Sequence, residues 1–178
     1  MSKGRQKPSL RDLSRHTSLD DHMTDIVYEL DHQTDRGAAL IASAVVDVSL
    51  GKAIRCKFVG YQDVEQIMFE KEGAPLATFF SRIRIARALG IIGPLTESHL
   101  DSMRRIRNQF AHSALRIDFT NGLIAAEVDK LLEDTNPSWK PEFSVQRRRF
   151  VGTAILLIQA FEARVQEHLA DKIDVWLT

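Results

Sequence analysis

Residues 96–112 read TESHLDSMRRIRNQFAH, and the expected architecture follows from this segment. Its apolar residues recur every three or four positions, which is the spacing of one face of an α-helix: Leu100, Met103, Ile106 and Phe110. Thr96 is predicted to be the N-cap, Glu97 suits the first turn because of the helix dipole, and the helix is predicted to end near His112. The segment is therefore predicted to be an amphipathic helix of a helical core.

The helical period extends through most of the chain on both sides of this segment. Further helices are predicted, in chain order, at 18–33, 35–58, 61–70, 76–89, about 123–132 and about 143–173. The sequence shows no convincing run of strands, although residues 113–122 alternate in a way that favours either a short extended segment or a turn. The fold class is therefore predicted to be all-α, a compact antiparallel helical bundle with long core helices.

Three glycines are expected to shape these helices. Gly90 is predicted to end the 76–89 helix as a C-terminal glycine. Gly37 and Gly51 fall inside the 35–58 helix, where each costs about 1 kcal/mol relative to Ala. The alternative is that these two glycines permit the close approach of a neighbouring helix.

Length and composition bound the class of protein. The chain has 178 residues, which favours one domain, and we expect it at 17–178 after a flexible basic tail at 1–16. No apolar run approaches the roughly 20 residues of a membrane span, and no apolar core follows the basic N-terminus. A cytoplasmic protein without membrane association is therefore expected. Cys56 is the single cysteine, which excludes an internal disulfide and a cysteine-rich zinc site.

Charge is balanced over the whole chain but not along it. There are 24 basic and 24 acidic residues, whereas a dedicated nucleic-acid binder is more often basic overall. Residues 82–107 are locally positive, and five arginines there are candidates for binding an anion or a partner: Arg82, Arg84, Arg87, Arg104 and Arg105. Binding of RNA or DNA through such a local basic surface stays open. The basic triplet at 147–149 is expected to be a solvated run.

The densest polar cluster lies at the end of the opening segment. Arg107, Asn108 and His112 place a cation, an amide and an imidazole within six residues. Asn108 and His112 are four apart and share a face, whereas Arg107 and His112 lie about 140° apart around the helix. Arg107 and His112 therefore converge only if the helix ends near Ala111, or if a second subunit contributes its own copy.

Such a cluster suits the cleavage of RNA without a metal. A histidine can take the proton of a ribose 2′-OH or protonate the leaving oxygen, and an arginine can hold the phosphate. Asn108 would orient the imidazole or the phosphate. The sequence has no acidic cluster with metal spacing, and no cofactor is expected.

A purely structural interpretation of the same three residues is the alternative. Arg107 would pair with a buried carboxylate, Asn108 would cap a loop, and His112 would bond a backbone carbonyl and complement the helix dipole. For an arbitrary helix that carries these residue types, the structural interpretation is the more common one.

A longer collinear likeness surrounds this cluster. Residues 73–83 (GAPLATFFSRI), 86–92 (ARALGII), Leu100 and 106–112 (IRNQFAH) resemble the mannitol operon repressor family, and residues 35–40 (DRGAAL) are similar too. The likeness spans about 35–120, with 75–112 as its most specific part. It implies a compact all-helical fold and a role in bacterial transcriptional regulation. The family lacks a recognised DNA-binding motif, so the resemblance implies action through protein partners.

The spacing of Arg107, Asn108 and His112 also resembles the Arg-polar-x-x-x-His motif of HEPN domains. These are helical, dimeric modules that include RNA-cleaving toxins and defence nucleases. By this resemblance Arg107 and His112 would be catalytic and Asn108 accessory. The first expectation is thus a bacterial regulator of the mannitol repressor type, and the alternative is a HEPN-like, metal-independent endoribonuclease. In either case a homodimer is expected.

Overall fold

The structure is a computed structural model that describes residues 23–58, 64–71, 73–133 and 140–176, with side chains described up to 168. These ranges form six α-helices and one π-helical turn, and they contain no strand. The helices, in order, are α1 (Met23–His32), α2 (Asp35–Arg55), the π-helical turn (Gln66–Glu70), α3 (Phe79–Ala88), α4 (Pro94–His112), α5 (Gly122–Val128) and α6 (Val145–Trp176). The predicted all-α helical bundle is confirmed. The expected tail at 1–16 lies outside the described residues.

Local side chains explain where the helices begin and end. Thr34 and Thr78 are the N-caps of α2 and α3, and their hydroxyls accept from Gly37 N at 3.2 Å and Ser81 N at 3.1 Å. Gly90 ends α3 as predicted: its φ is +67°, a left-handed conformation that favours glycine. Ile91 N then donates to Ala86 O at 2.9 Å, which closes the last turn.

The predicted start of α4 is wrong by three residues. Its N-cap is Gly93 and its first residue is Pro94, so Thr96 lies inside the first turn. Proline suits the first helical position because its ring presets φ and because its missing N–H would have no partner there. The predicted end at His112 is confirmed, since Ser113 is the C-cap.

Helix α2 is the centre of the bundle. It contacts α1, α3, α4 and α6, most extensively α6, and its buried side is made of small residues and Val46, Leu50 and Ile54. Arg36, at the start of α2, donates to Ser113 O at 3.0 Å and Leu115 O at 2.8 Å, just after α4 ends. Since the start of α2 lies beside the end of α4, these two helices run in opposite directions.

An irregular segment between α4 and α5 completes the core. Residues 113–121 form bends and a turn rather than a strand, so the turn alternative holds for this stretch. Phe119 of this segment is fully buried between Phe110 and Phe150, with ring centroids 5.0 and 5.1 Å apart. The three rings join α4, this segment and α6 in one aromatic chain.

Neither glycine of α2 accommodates a neighbouring helix. A Cβ on Gly51 would meet Arg55 Nη1 at 2.8 Å, whereas the nearest atom of α3, Arg82 Nη1, lies 4.0 Å away. A Cβ on Gly37 would meet the side chain of Gln33. Both glycines therefore leave room for a nearby polar side chain of their own part of the chain.

Among the described helices, α2 alone is long and apolar enough to cross a membrane. It has 21 residues, a mean hydropathy of 1.6 over the most apolar window, and 56% of that window is buried. The sequence lacks an uninterrupted apolar run of this length, but the alanines, valines, leucines and isoleucines of α2 keep its mean hydropathy high. Core helices meet the same criteria, and the contacts of α2 with four other helices account for its composition.

Candidate functional site at the end of helix α4

The last two turns of α4 present one buried and one exposed face. Met103, Ile106 and Phe110 are buried, whereas Arg107 and His112 are exposed and Asn108 is half-buried. Ser113 N donates to Gln109 O at 3.0 Å, so the helix continues through its final residue, His112. The helix therefore does not end near Ala111, and Arg107 and His112 of one chain point to different sides.

Arg107 has few polar contacts with the described residues of its own chain. Its Nη1 donates to Asn108 Oδ1 at 3.1 Å, and within the described ranges no carboxylate lies at ion-pair distance from it. Arg107 also attracts the carboxylate of Asp47 in α2. Burial raises the pKa of the Asp47 carboxyl, and the opposing attraction of Arg82, Arg107 and Arg55 does not fully offset this effect.

The contacts of the structural interpretation are not found in the described part of the chain. Asn108 caps no loop there, because its side chain contacts Arg107. Neither a backbone carbonyl nor a carboxylate bonds the imidazole of His112 within those ranges. Arg107 and His112 are thus exposed on the surface of the single chain, with the half-buried Asn108 beside Arg107.

The five other candidate arginines are arranged differently, since each is paired with a carboxylate. Arg82 Nη1 lies 2.8 Å from Asp47 Oδ1, and Arg105 Nη2 lies 2.5 Å from Glu127 Oε1. The remaining pairs share two acids: Arg84 with Glu97 and Asp101, Arg87 with Glu97 at 3.5 Å, and Arg104 with Asp101 at 3.3 Å. The local positive charge of 82–107 is therefore largely offset, and the anion-binding role of these five stays a prediction that the pairing disfavours.

The basic triplet of α6 is mostly not solvated, contrary to expectation. Arg147 is 6% exposed, and its guanidinium bonds Asp35 Oδ1 at 2.9 Å, Leu30 O at 2.8 Å and Gln33 O at 2.7 Å. Arg149 donates to the Leu132 carbonyl at 3.1 Å. A signal was present in the sequence, because Arg147 lies four residues before Val151 on the apolar stripe of α6.

The described residues line two open cavities, one beside the starts of α2 and α6 and one beside the end of α4. The larger, about 750 Å³, lies at the starts of α2 and α6, and Arg147 and Asp35 in its wall bond to each other. The smaller, which we call the α4–α5 groove, has a volume of about 420 Å³. Its lining is formed by Arg105, Ile106, Gln109, Ser113, Ile117, Asn121, Leu123, Ile124 and Glu127.

Arg105 and Glu127 form a hydrogen-bonded ion pair in the α4–α5 groove. Burial alone would raise the pKa of Glu127, but hydrogen bonds from Lys130, Ser102 and Arg105 outweigh burial and lower it to about 2. Glu127 is therefore ionised at neutral pH and its charge is matched by Arg105. In the described ranges no group of three or more His, Cys, Asp or Glu side chains is placed to hold a metal ion.

Comparison with known proteins adds no relative. No family model matches the chain, no curated protein is significantly similar to it, and no solved structure shares significant similarity with it. The two family resemblances therefore depend on the likeness over about 35–120, most specific at 75–112, and on the spacing of Arg107, Asn108 and His112.

Proposed function

We propose that the chain is a metal-independent endoribonuclease of the HEPN type that acts as a homodimer in the cytoplasm. The observation that supports this proposal is the display of Arg107, Asn108 and His112 on the exposed face of α4. Within the described ranges, Arg107 has no carboxylate at ion-pair distance, whereas Arg82, Arg84, Arg87, Arg104 and Arg105 each have one. The guanidinium of Arg107 is therefore available to an outside phosphate.

The chemistry follows from the two exposed groups. The imidazole of His112 can accept the proton of a ribose 2′-OH while that oxygen attacks the adjacent phosphorus, or protonate the leaving 5′ oxygen. The guanidinium of Arg107 can donate two parallel hydrogen bonds to the phosphate and offset the negative charge of the transition state. Asn108, which accepts from Arg107 at 3.1 Å, would hold that guanidinium in place.

The dimer is part of the proposal because one chain cannot supply both groups to one phosphate. Arg107 and His112 lie about 140° apart around a helix that continues through both residues. Two α4 helices related by a two-fold axis would bring Arg107 of one copy near His112 of the other. The half-buried Asn108 lies between them on the exposed face and would be close to that axis.

The test is cleavage of RNA by the purified protein in the presence of EDTA. Cleavage should be lost, by about a hundredfold or more, in both His112→Ala and Arg107→Ala. Arg164→Ala is the matched control, since Arg164 is an exposed arginine of α6 far along the sequence from the site. The free energy of unfolding of both site variants should lie within about 0.5 kcal/mol of that of the parent protein, because the replaced side chains are exposed. Intact RNA after incubation with the dimer, or equal cleavage by the alanine variants, would rule the proposal out.

We propose a second function, regulation of the mannitol repressor type through a protein partner, on a different observation. Leu115 and Leu123 are 76% and 87% exposed, and exposed leucines suit a protein surface better than a DNA backbone. The pairing of the five arginines also disfavours a basic face for DNA. In pull-downs, the parent protein is expected to capture a stable protein partner. The Leu115→Glu variant is expected not to capture it. Recovery of no partner, together with no promoter shift at low salt, would count against this function.

A further inference from the structure

We propose that the α4–α5 groove binds one base of single-stranded RNA, the base next to the phosphate that is cleaved. This inference rests on the proposed ribonuclease function and assigns it a specificity site. The groove, about 420 Å³ in volume, falls in the range of roughly 300–1,000 Å³ that small-molecule sites occupy.

The groove lies beside the imidazole of His112. Gln109 and Ser113 both line it, and they are three residues before and one residue after His112 on the same helix end. Side chains three apart on a helix are neighbours, with Cβ atoms about 5–6 Å apart. A nucleotide whose phosphate reaches His112 therefore has its base within reach of the groove.

The walls suit the flat faces of a base. Ile106 and Ile124 form a buried apolar floor, at 1% and 5% exposure. Leu123, at 87% exposure, and the half-buried Ile117 form the rim. Enzymes that act on an extruded base hold it between aromatic or apolar side chains, and the lining of this groove supplies the apolar kind. Burial of Leu123 by a base would also account for the exposure of so large an apolar side chain.

The charge of the lining favours a base over a phosphate. Arg105 is the only cation in the lining within the described residues, and Glu127 neutralises it through contacts of 2.8 and 2.5 Å. The phosphate, at His112 of the same chain, would instead meet the exposed Arg107 of the second copy in the proposed dimer. The arrangement thus separates the two parts of one nucleotide, with the base in a neutral groove and the phosphate at a cation.

Two amides are placed to read the edge of the base. The Gln109 side chain is exposed and has no hydrogen-bond partner among the described residues. The Asn121 side-chain oxygen accepts from Leu123 N at 3.2 Å, which leaves its NH₂ group as a donor. Amides supply both donors and acceptors, so this pair can distinguish bases by their hydrogen-bonding edges.

The experiment compares four short RNAs that differ only in the base next to the cleaved phosphate. The parent protein should prefer one base by about tenfold over the least favoured base. Gln109→Ala and Asn121→Asp should each reduce this preference to about threefold or less. Asn121→Asp keeps an oxygen for the N-cap of α5, so that helix is preserved. Gln166→Ala, an exposed glutamine on α6, is the matched control and should keep the full preference.

Binding of the same RNAs to the His112→Ala variant measures the base preference a second time, without the need for cleavage. Cleavage without base preference, or preference that survives both groove variants, overturns the groove inference and leaves the ribonuclease proposal intact. If neither cleavage nor RNA binding is detected, both proposals fall. Dissociation of the dimer by Leu123→Glu would assign the groove to the interface between two copies, which also overturns the inference.

Discussion

Arg147 shows how one buried charge holds three elements together. Its guanidinium bonds Asp35 at the start of α2 and the carbonyls of Leu30 and Gln33 around the end of α1, from the first turn of α6. Arg147→Met should lower the free energy of unfolding by about 3 kcal/mol, because Asp35 and two carbonyls lose their donor in a poorly solvated place. Urea denaturation at neutral pH measures this change.

Arg164→Met is the control for that measurement, since Arg164 is an exposed arginine on the same helix. It should change the free energy of unfolding by less than about 0.5 kcal/mol. Equal effects of the two substitutions would show that the contacts of Arg147 contribute little to stability.

The lowered pKa of Glu127 predicts how the free energy of unfolding changes with pH. Its pKa in the folded state is about 2, below its ordinary value of 4.5, so the folded protein binds this proton less readily than the unfolded chain does. The stability it contributes is therefore fully present above about pH 5 and is lost as pH falls towards 2. Glu127→Gln should be less stable than the parent protein at pH 7, and the difference should shrink over that window in urea titrations.

Glu133→Gln serves as the control, because the Glu133 side chain is 86% exposed and lies 3.8 Å from Arg149. Its difference from the parent protein should stay near zero and flat across the same pH range. A difference for Glu127→Gln that does not change between pH 7 and pH 3 would contradict the assigned contacts.

At the scale of the element, replacing two glycines by alanine is predicted to change the free energy of unfolding by different amounts. Gly51→Ala should change the free energy of unfolding by less than about 0.5 kcal/mol, because the gain in helix propensity offsets the displacement of Arg55. Gly90→Ala should cost about 1–2 kcal/mol, because its φ of +67° strains any residue with a Cβ. Thermal or urea denaturation of both variants measures the contrast, and equal costs would contradict it.

The helices are predictable from sequence because their apolar period is a local pattern. Their ends are predictable only where a local signal is unambiguous. Gly90 and His112 mark ends correctly. Thr is a good N-cap by itself, so the sequence predicts Thr96 as the N-cap of α4, but Pro94 fits the first helical position and the N-cap is Gly93. The path of 113–121 depends on burial of Phe119 against α4 and α6, which no local pattern reveals.

At the scale of the whole molecule, the proposed site predicts complementation between inactive copies. Arg107→Ala and His112→Ala should each be inactive alone, but a mixture that exchanges subunits should regain up to about a quarter of the parent RNA cleavage. Half of the dimers would then be mixed, and each mixed dimer would keep one of its two Arg107–His112 pairs. Assay of the mixture after mild unfolding and refolding tests this.

Two results of that experiment would contradict a shared site. One is a mixture that stays inactive although sedimentation shows mixed dimers. The other is a parent protein that sediments as a monomer and still cleaves RNA at the same rate at all concentrations.

The candidate site was only partly predictable from sequence, for a reason that concerns the whole fold. The spacing of Arg107, Asn108 and His112 identified the cluster, and helix geometry showed that one chain cannot align Arg107 with His112. The pairing of neighbouring arginines was not predictable, since Arg105 meets Glu127 of α5 and Arg82 meets Asp47 of α2. Those partners are brought close only by packing of helices distant in sequence.

The aromatic chain of Phe110, Phe119 and Phe150 has a consequence for the end of α4. A helix terminus normally frays at little cost in free energy. Here Phe110 anchors the last turn in the core, Phe119 anchors the segment that follows it, and Arg36 holds the carbonyls of Ser113 and Leu115 between them. The peptide backbone around His112 is thus fastened on both sides, so its amides should resist exchange with solvent deuterium about as strongly as the core of α2.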